Sequence, residues 1–139
     1  MFVNRRTVRI EWGDCDAAGI VYYPRYFEMF DASTTHLFEM AGFPKRQAQA
    51  RFGIVGWPML DTRANFKIPS SFGDDILIES RIGRWGRSSF DVEHLVFKGQ
   101  AVAIEAWEKR VWAAKDPEDP TRIKSIPIPD EVIARLSAS

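Results

Sequence analysis

Two aspartates, Asp14 and Asp16, stand two residues apart in the run Gly13-Asp14-Cys15-Asp16-Ala17-Ala18-Gly19. Small residues and glycines mark this run as a loop. Pro24 follows and marks a helix start, because its missing N–H costs nothing in a first turn. Aspartates in such a loop have an ordinary use: they accept from nearby N–H groups and shape turns. They also have a chemical one. A helix N-terminus carries unpaired N–H groups and a partial positive charge, which can hold a developing oxyanion. A carboxylate beside it can attack a carbonyl or activate water. Both readings stand. A third carboxylate, Asp31, lies about 80° from the centre of the apolar stripe on the helix that follows. It therefore borders the buried face, where it reaches water or an arginine, or receives a polar group of a ligand.

Other chemistry is thin. The sequence has two histidines, His36 and His94. His36 falls about 140° from the stripe centre, on the solvated side. His94 shares a strand face with Phe90, Val92 and Val96 and reads as a hydrogen-bonded core or interface residue. No Ser-His-Asp or Cys-His set is evident, and no glycine-rich phosphate motif is present. A single cysteine, Cys15, excludes an internal disulfide framework and any multi-cysteine zinc site. It reads as a small packed side chain. No metal and no cofactor are expected.

The elements that must position these residues follow from periodicity. Val8, Ile10 and Trp12 alternate with Thr7, Arg9 and Glu11, predicting a strand over 7–12. Phe27, Phe30, Thr34, Leu37, Phe38 and Ala41 recur every three or four residues, predicting one helix over 24–41. Gly42 and Pro44 end it. A short helix is expected over 45–51. Strands are expected over 59–68, 75–85, 89–97 and 100–114, separated by turn residues. On the last, Val102, Ile104, Ala106 and Glu108 share one face. Pro129 or Asp130 opens a final helix ending near Leu136. The class is α+β, an antiparallel sheet of about five strands packed on one long helix. One helix covers one face of such a sheet, so a partner subunit is the economical cover for the other.

Composition narrows the partners. The 139 residues carry 19 basic and 19 acidic side chains, a net charge of zero. That argues against nucleic acid and against polybasic attachment to a membrane. No apolar run approaches the roughly 20 residues of a bilayer span. Hydrophobic residues at 45% and five tryptophans exclude a disordered chain. No repeat, linker or composition break divides the chain. One cytoplasmic domain over 1–139 is the expectation.

The run Ile10-Glu11-Trp12-Gly13-Asp14-Cys15-Asp16-Ala17-Ala18-Gly19-Ile20-Val21-Tyr22-Tyr23-Pro24-Arg25-Tyr26 closely resembles the signature of 4-hydroxybenzoyl-CoA thioesterases, a hot-dog-fold family. The likeness continues through Gly53-Ile54-Val55-Gly56 with Pro58, Ala64-Asn65-Phe66, Asp74-Asp75 and Arg84-Trp85 with Arg87, Ser89 and Phe90. The resemblance implies hydrolysis of a small aromatic acyl-CoA to free acid and coenzyme A. It puts the catalytic carboxylate, nucleophile or general base, on Asp16 and the oxyanion donor on the Tyr23 backbone N–H. It puts the contact to the phenol hydroxyl on Asp31 and the acyl pocket near Gly56 and Trp57. Arg84 and Arg87 remain for the CoA nucleotide, where Gly86 and Ser88 replace basic residues of the best-known members. The resemblance also implies a homo-oligomer, dimer or tetramer, with the site between subunits.

Rival readings differ at few positions. Short-chain aliphatic acyl-CoA thioesterases of this fold usually carry His where Tyr23-Pro24 falls and Glu where Asp31 falls. A hydratase needs a catalytic His near the helix, and His36 points away. A non-catalytic acyl-CoA binding module would keep the pocket and tolerate loss of Asp16. A purely structural oligomer leaves Asp31 unexplained.

Overall fold

The computed structural model describes residues 1–138. In chain order it comprises β1 (Asn4–Arg9), a 3-10 turn at Trp12–Asp14, α1 (Tyr23–Met40), α2 (Lys45–Phe52), β2 (Met59–Phe66), β3 (Asp75–Trp85), β4 (Ser89–Lys98), β5 (Ala101–Val111), β6 (Ala113–Lys115), β7 (Ile123–Ser125) and α3 (Asp130–Ser137). The first five strands form one antiparallel sheet in the order β1-β3-β4-β5-β2. Short turns at 86–88 and at Gly99 (φ +62°) connect β3, β4 and β5. The sheet wraps on α1, the hot-dog arrangement that the sequence resemblance implies.

Helix α1 is placed by its apolar face. Phe30, Thr34, Leu37 and Phe38 are fully buried, and Tyr26, Met29 and Ser33 are buried beside them. One half of the core joins Phe30 to Ile76, Ile78 and Ile104 of the sheet. The other half joins Phe38 to Trp57, Phe90, Trp112 and Leu136. At the helix end Gly42 adopts φ +101°, and the Phe43 N–H bonds the Phe38 carbonyl at 2.8 Å. A left-handed glycine just past the last turn is the common stop.

Three departures from the periodicity have local causes. The first strand runs over 4–9 rather than 7–12, because Asp14 Oδ2 accepts the Glu11 N–H at 2.8 Å and turns the chain. Ile10 keeps its backbone pairing to Gly73 and Asp74 from outside the strand. The buried stripe of α1 is wider than the apolar pattern shows. Arg6 of β1 reaches over the helix, bonding Ser33 Oγ at 2.8 Å and the Met29 carbonyl at 3.1 Å. The strand expected over 100–114 breaks at Trp112. There the Trp112 N–H turns to the Ser88 carbonyl, and the chain continues as β6, paired with β7 in a hairpin that the periodicity does not show.

Candidate active site

The loop between the 3-10 turn and α1 is a small hairpin. The Tyr22 N–H bonds the Asp14 carbonyl at 2.8 Å, Cys15 bridges Val21, and the Asp16 N–H bonds the Ile20 carbonyl at 3.0 Å. Its tip closes when the Gly19 N–H bonds the Asp16 carbonyl at 3.0 Å, with Gly19 at φ +81°. A side chain at that φ would be strained, so glycine is required by the turn. The two aspartates have different jobs. Asp14 spends its carboxylate on the Glu11 N–H and so builds the turn. Asp16 accepts the Ala18 N–H on Oδ1 at 2.8 Å. Its Oδ2 makes no bond to the protein among the described residues. One oxygen is anchored and the other faces outward, in a pocket shared with Trp12, Cys15, Gly19 and Phe72.

This hairpin delivers the chain directly into α1. The first residue of a helix has no internal acceptor for its N–H. Here that residue is Tyr23, Pro24 has no N–H to offer, and the Arg25 N–H is spent on the Tyr22 carbonyl at 2.8 Å. Among the described residues the Tyr23 N–H has no acceptor, which leaves it a free donor at this helix start. Beside it lies a mostly apolar pocket of about 390 Å³, lined in part by Ile20, Tyr23, Tyr26 and Phe66. That volume suits a small ligand. Six residues of this hairpin separate Asp16 from Tyr23, and within one chain the two line different pockets.

Asp31 is held elsewhere. At 1.5 Å per residue it stands about 12 Å along the helix axis from Tyr23. Its Oδ1 accepts Arg110 Nη2 at 2.8 Å, while its side chain remains 60% exposed. Arg110 is itself buried. Its Nε and Nη2 bond the two oxygens of Glu108 at 3.0 and 3.2 Å, and its Nη1 bonds the Trp57 carbonyl at 3.2 Å. Glu108 also accepts Thr34 Oγ1 of α1 at 2.6 Å and lies 3.4 Å from His94 Nε2. His94 Nδ1 meets Ser80 Oγ at 2.7 Å. Burial alone would push the Glu108 carboxyl up; the bonds from His94 and Arg110 and their charges outweigh it and hold the group at about 2. Burial alone would lower the Arg110 pKa, and Glu108 and Asp31 together raise it.

The remaining expected residues are placed as follows. Gly56, at φ +140°, is bridged by its carbonyl to the Ala113 N–H. The Trp57 ring is buried, stacked 4.3 Å from Phe38, with Lys45 Nζ 5.0 Å above it. Through Arg110 the Trp57 backbone and Asp31 are brought to one guanidinium. Arg84, at the end of β3, is exposed and lies 3.3 Å from Asp91. Arg87 is exposed in the next turn and makes no ion pair among the described residues. Within one chain Asp16 lines the pocket with Trp12 and Phe72, whereas Asp31 lies on Arg110.

The model of the thioesterase-like superfamily matches residues 10–136. The chain belongs to that superfamily. It is 37% identical over 135 residues to the 4-hydroxybenzoyl-CoA thioesterase of Pseudomonas sp. (strain CBS-3), covering 93% of this chain and 94% of that one. It is 26% identical to a 1,4-dihydroxy-2-naphthoyl-CoA hydrolase of Synechococcus sp. (strain WH7803), over 96% of this chain and 88% of that one. Among solved structures it superposes with a TM-score of 0.90 on an aspartate-to-asparagine mutant of 4-hydroxybenzoyl-CoA thioesterase in complex with 4-hydroxybenzoyl-CoA. The identity there is 35%, covering 99% of this chain and all of the other. A gentisyl-coenzyme A thioesterase gives 0.82 at 31% identity, covering 97% of this chain and all of the other.

This thioesterase carries one constellation that periodicity did not single out. Ser80, His94 and Glu108 line up in the order of a serine hydrolase triad, on three neighbouring strands. All three are at most 1% exposed. At that burial the serine is closed to an acyl group, and the set does not serve as a nucleophile and its base. The signal lay in the alternation of β5, where Glu108 follows Ile104 and Ala106 on the buried face and Arg110 comes next. A charged residue in register with core positions is expected to be paired.

Proposed function

We propose that this thioester hydrolase acts on a small aromatic acyl-CoA, 4-hydroxybenzoyl-CoA or a close relative, releasing the free acid and coenzyme A. The observation that carries the reading is Asp16: a carboxylate in the hairpin that leads into α1, with one oxygen anchored on Ala18 N–H and the other without a protein partner among the described residues. Relatives that are named for aryl-CoA substrates support it.

A thioester carbonyl is electrophilic and its thiolate leaves readily, so modest activation suffices. The Tyr23 N–H receives the carbonyl oxygen as negative charge grows on it. In the general-base form Asp16 takes a proton from water as the water oxygen bonds to the acyl carbon. The C–S bond then breaks, its electron pair leaves on sulfur, and the proton returns to the thiolate. In the nucleophilic form Asp16 itself bonds to the acyl carbon, the C–S bond breaks with its electron pair on the departing thiolate, and water then opens the anhydride, giving the free acid, regenerating the Asp16 carboxylate and supplying the thiolate's proton. Either way the sum is thioester plus water to acid plus thiol. No cofactor enters this reading; coenzyme A comes with the substrate.

Asp31 accepts a hydrogen bond from a hydroxyl at the far end of the ring. The Gly56-Trp57 segment walls the acyl group, through its backbone, since the Trp57 ring is buried in the core. Arg84 and Arg87 meet the CoA nucleotide. The span between Tyr23 and Asp31 exceeds one benzoyl ring, so the two ends of the site come from different subunits of a homo-oligomer, a dimer or a tetramer. The edge strand β2 supports this: among the described residues it pairs on one side with β5 and has an open outer side, and its Leu60 and Phe66 are exposed. Among the described residues no helix is long and apolar enough to cross a membrane; we place the enzyme in the cytoplasm.

The test is thiol release from aryl and aliphatic acyl-CoA thioesters, with wild type and Asp16→Asn side by side. Fast release from hydroxybenzoyl-CoA, lost in the variant, is the expected result. Release from short aliphatic thioesters alone would overturn the aryl reading. Unchanged turnover in Asp16→Asn would overturn the role of Asp16.

A further inference from the structure

The buried cluster under α1 does more than fill the core. Among the described residues Arg110 has three partners, and two of them belong to the acyl end of the proposed site: Asp31 and the Trp57 backbone. The third, Glu108, grips the guanidinium from below with both oxygens. Glu108 is in turn fixed by Thr34, one turn of α1 beyond Asp31. A planar guanidinium so bound has no freedom to swing, unlike an ammonium on a flexible stem. The pairing occupies Asp31 Oδ1 alone. Asp31 Oδ2 has no protein partner among the described residues and stands at the exposed end of the cluster.

We propose that Arg110, locked by Glu108, is a positioning residue that sets substrate choice: it fixes Asp31 and the Trp57 segment so that a single carboxylate oxygen is presented to a hydrogen-bond donor on the acyl ring. This rests on the aryl-CoA reading above and deepens it. The substrate class follows from the chemistry. An ionised carboxylate accepts and does not donate, so it takes a ring bearing a hydroxyl or amino group. It disfavours a ring bearing a carboxylate, and it gains nothing from an unsubstituted one. Arg110 is no catalytic residue here, because it touches no reacting atom.

The experiment compares kcat/KM for 4-hydroxybenzoyl-CoA and for benzoyl-CoA in wild type, Arg110→Lys, Asp31→Asn and the double variant. Lysine keeps the charge but cannot hold Glu108, Asp31 and the Trp57 carbonyl together. Arg110→Lys is expected to lower the hydroxybenzoyl to benzoyl ratio roughly tenfold, as loss of a hydrogen bond to a charged group does. Asp31→Asn lowers it similarly, and the double variant lowers it no further, because both act through one contact. A merely structural role would depress both substrates equally and leave the ratio intact; that result overturns the inference. So does a double variant whose losses multiply. If Arg110→Lys does not fold, Glu108→Gln, which loosens the guanidinium from below, must lower the ratio in the same direction. Wild type that hydrolyses neither aryl thioester overturns the function itself and this inference with it. Wild type active with an unmoved ratio overturns the inference alone.

Discussion

Replacing Glu108 by glutamine keeps the shape of the side chain and removes its charge, and the structure sets how much that should cost. The carboxyl titrates at about 2 in the fold against an ordinary value of 4.5. That gap is worth about 3 kcal/mol of stability at neutral pH. The group is fully buried, so solvent screening does not reduce the figure. The sign is fixed by the direction of the shift. A carboxyl depressed in the fold stabilises fully above its unfolded value and loses that contribution as pH falls toward its folded value. Near pH 3 about 1 kcal/mol of it should remain. The assay is urea unfolding followed by tryptophan fluorescence, for wild type and Glu108→Gln, at several pH values between neutrality and pH 3. The variant is expected to be about 3 kcal/mol less stable at neutral pH, with the difference closing as the medium is acidified. A difference that does not change with pH, or a variant as stable as wild type at neutral pH, would refute the charge-paired network.

The other expectations are brief. Asp31→Ala should reduce kcat/KM for hydroxybenzoyl-CoA more than for benzoyl-CoA; equal losses on both would remove Asp31 from the ring contact. Asp16→Ala should lose the bond to the Ala18 N–H and cost about 1 kcal/mol by denaturant titration, whereas Asp16→Asn keeps an oxygen there and should unfold like wild type. Gly19→Val places a β-branched residue at φ +81° and should cost more than 1 kcal/mol; an unchanged midpoint would deny the left-handed turn. Leu60→Lys should shift the sedimentation of the enzyme toward the monomer and reduce turnover; an unchanged assembly would take the β2 edge out of the interface.

Much of this was legible in the residues. Alternation and three-or-four spacing are local signals, and they placed α1 and the strands of the sheet to within a few positions. The strand expected over 75–85 has the bounds of β3. The Asp14/Asp16 loop was legible because glycines and aspartates declare a turn, and Pro24 declares the helix it feeds. Which aspartate is free was not legible, since it depends on Asp14 being claimed by the Glu11 N–H, a bond set by the turn geometry. The β6–β7 hairpin escaped because its strands are three residues long, too short for any period. The wider stripe of α1 escaped because Ser33 is buried by Arg6, a residue 27 positions away.

Asp31 shows where a residue pattern stops and a fold begins. Its position at the edge of the helix stripe left two readings open, an arginine partner or a ligand, and they looked like rivals. The structure supplies the arginine, and in doing so strengthens the case for the ligand. A carboxylate pointing freely into solvent would have to be ordered by its substrate, and that ordering would be subtracted from binding. Arg110 orders it beforehand through one oxygen, and Glu108 orders Arg110. The desolvation of that buried pair is a cost that well-packed leucine and methionine would avoid. The double variant Glu108→Leu with Arg110→Met is therefore expected to fold, and to be more stable than either single change. It should also lose the preference for a hydroxylated ring. A double variant that keeps the preference would mean that the buried charges serve stability alone.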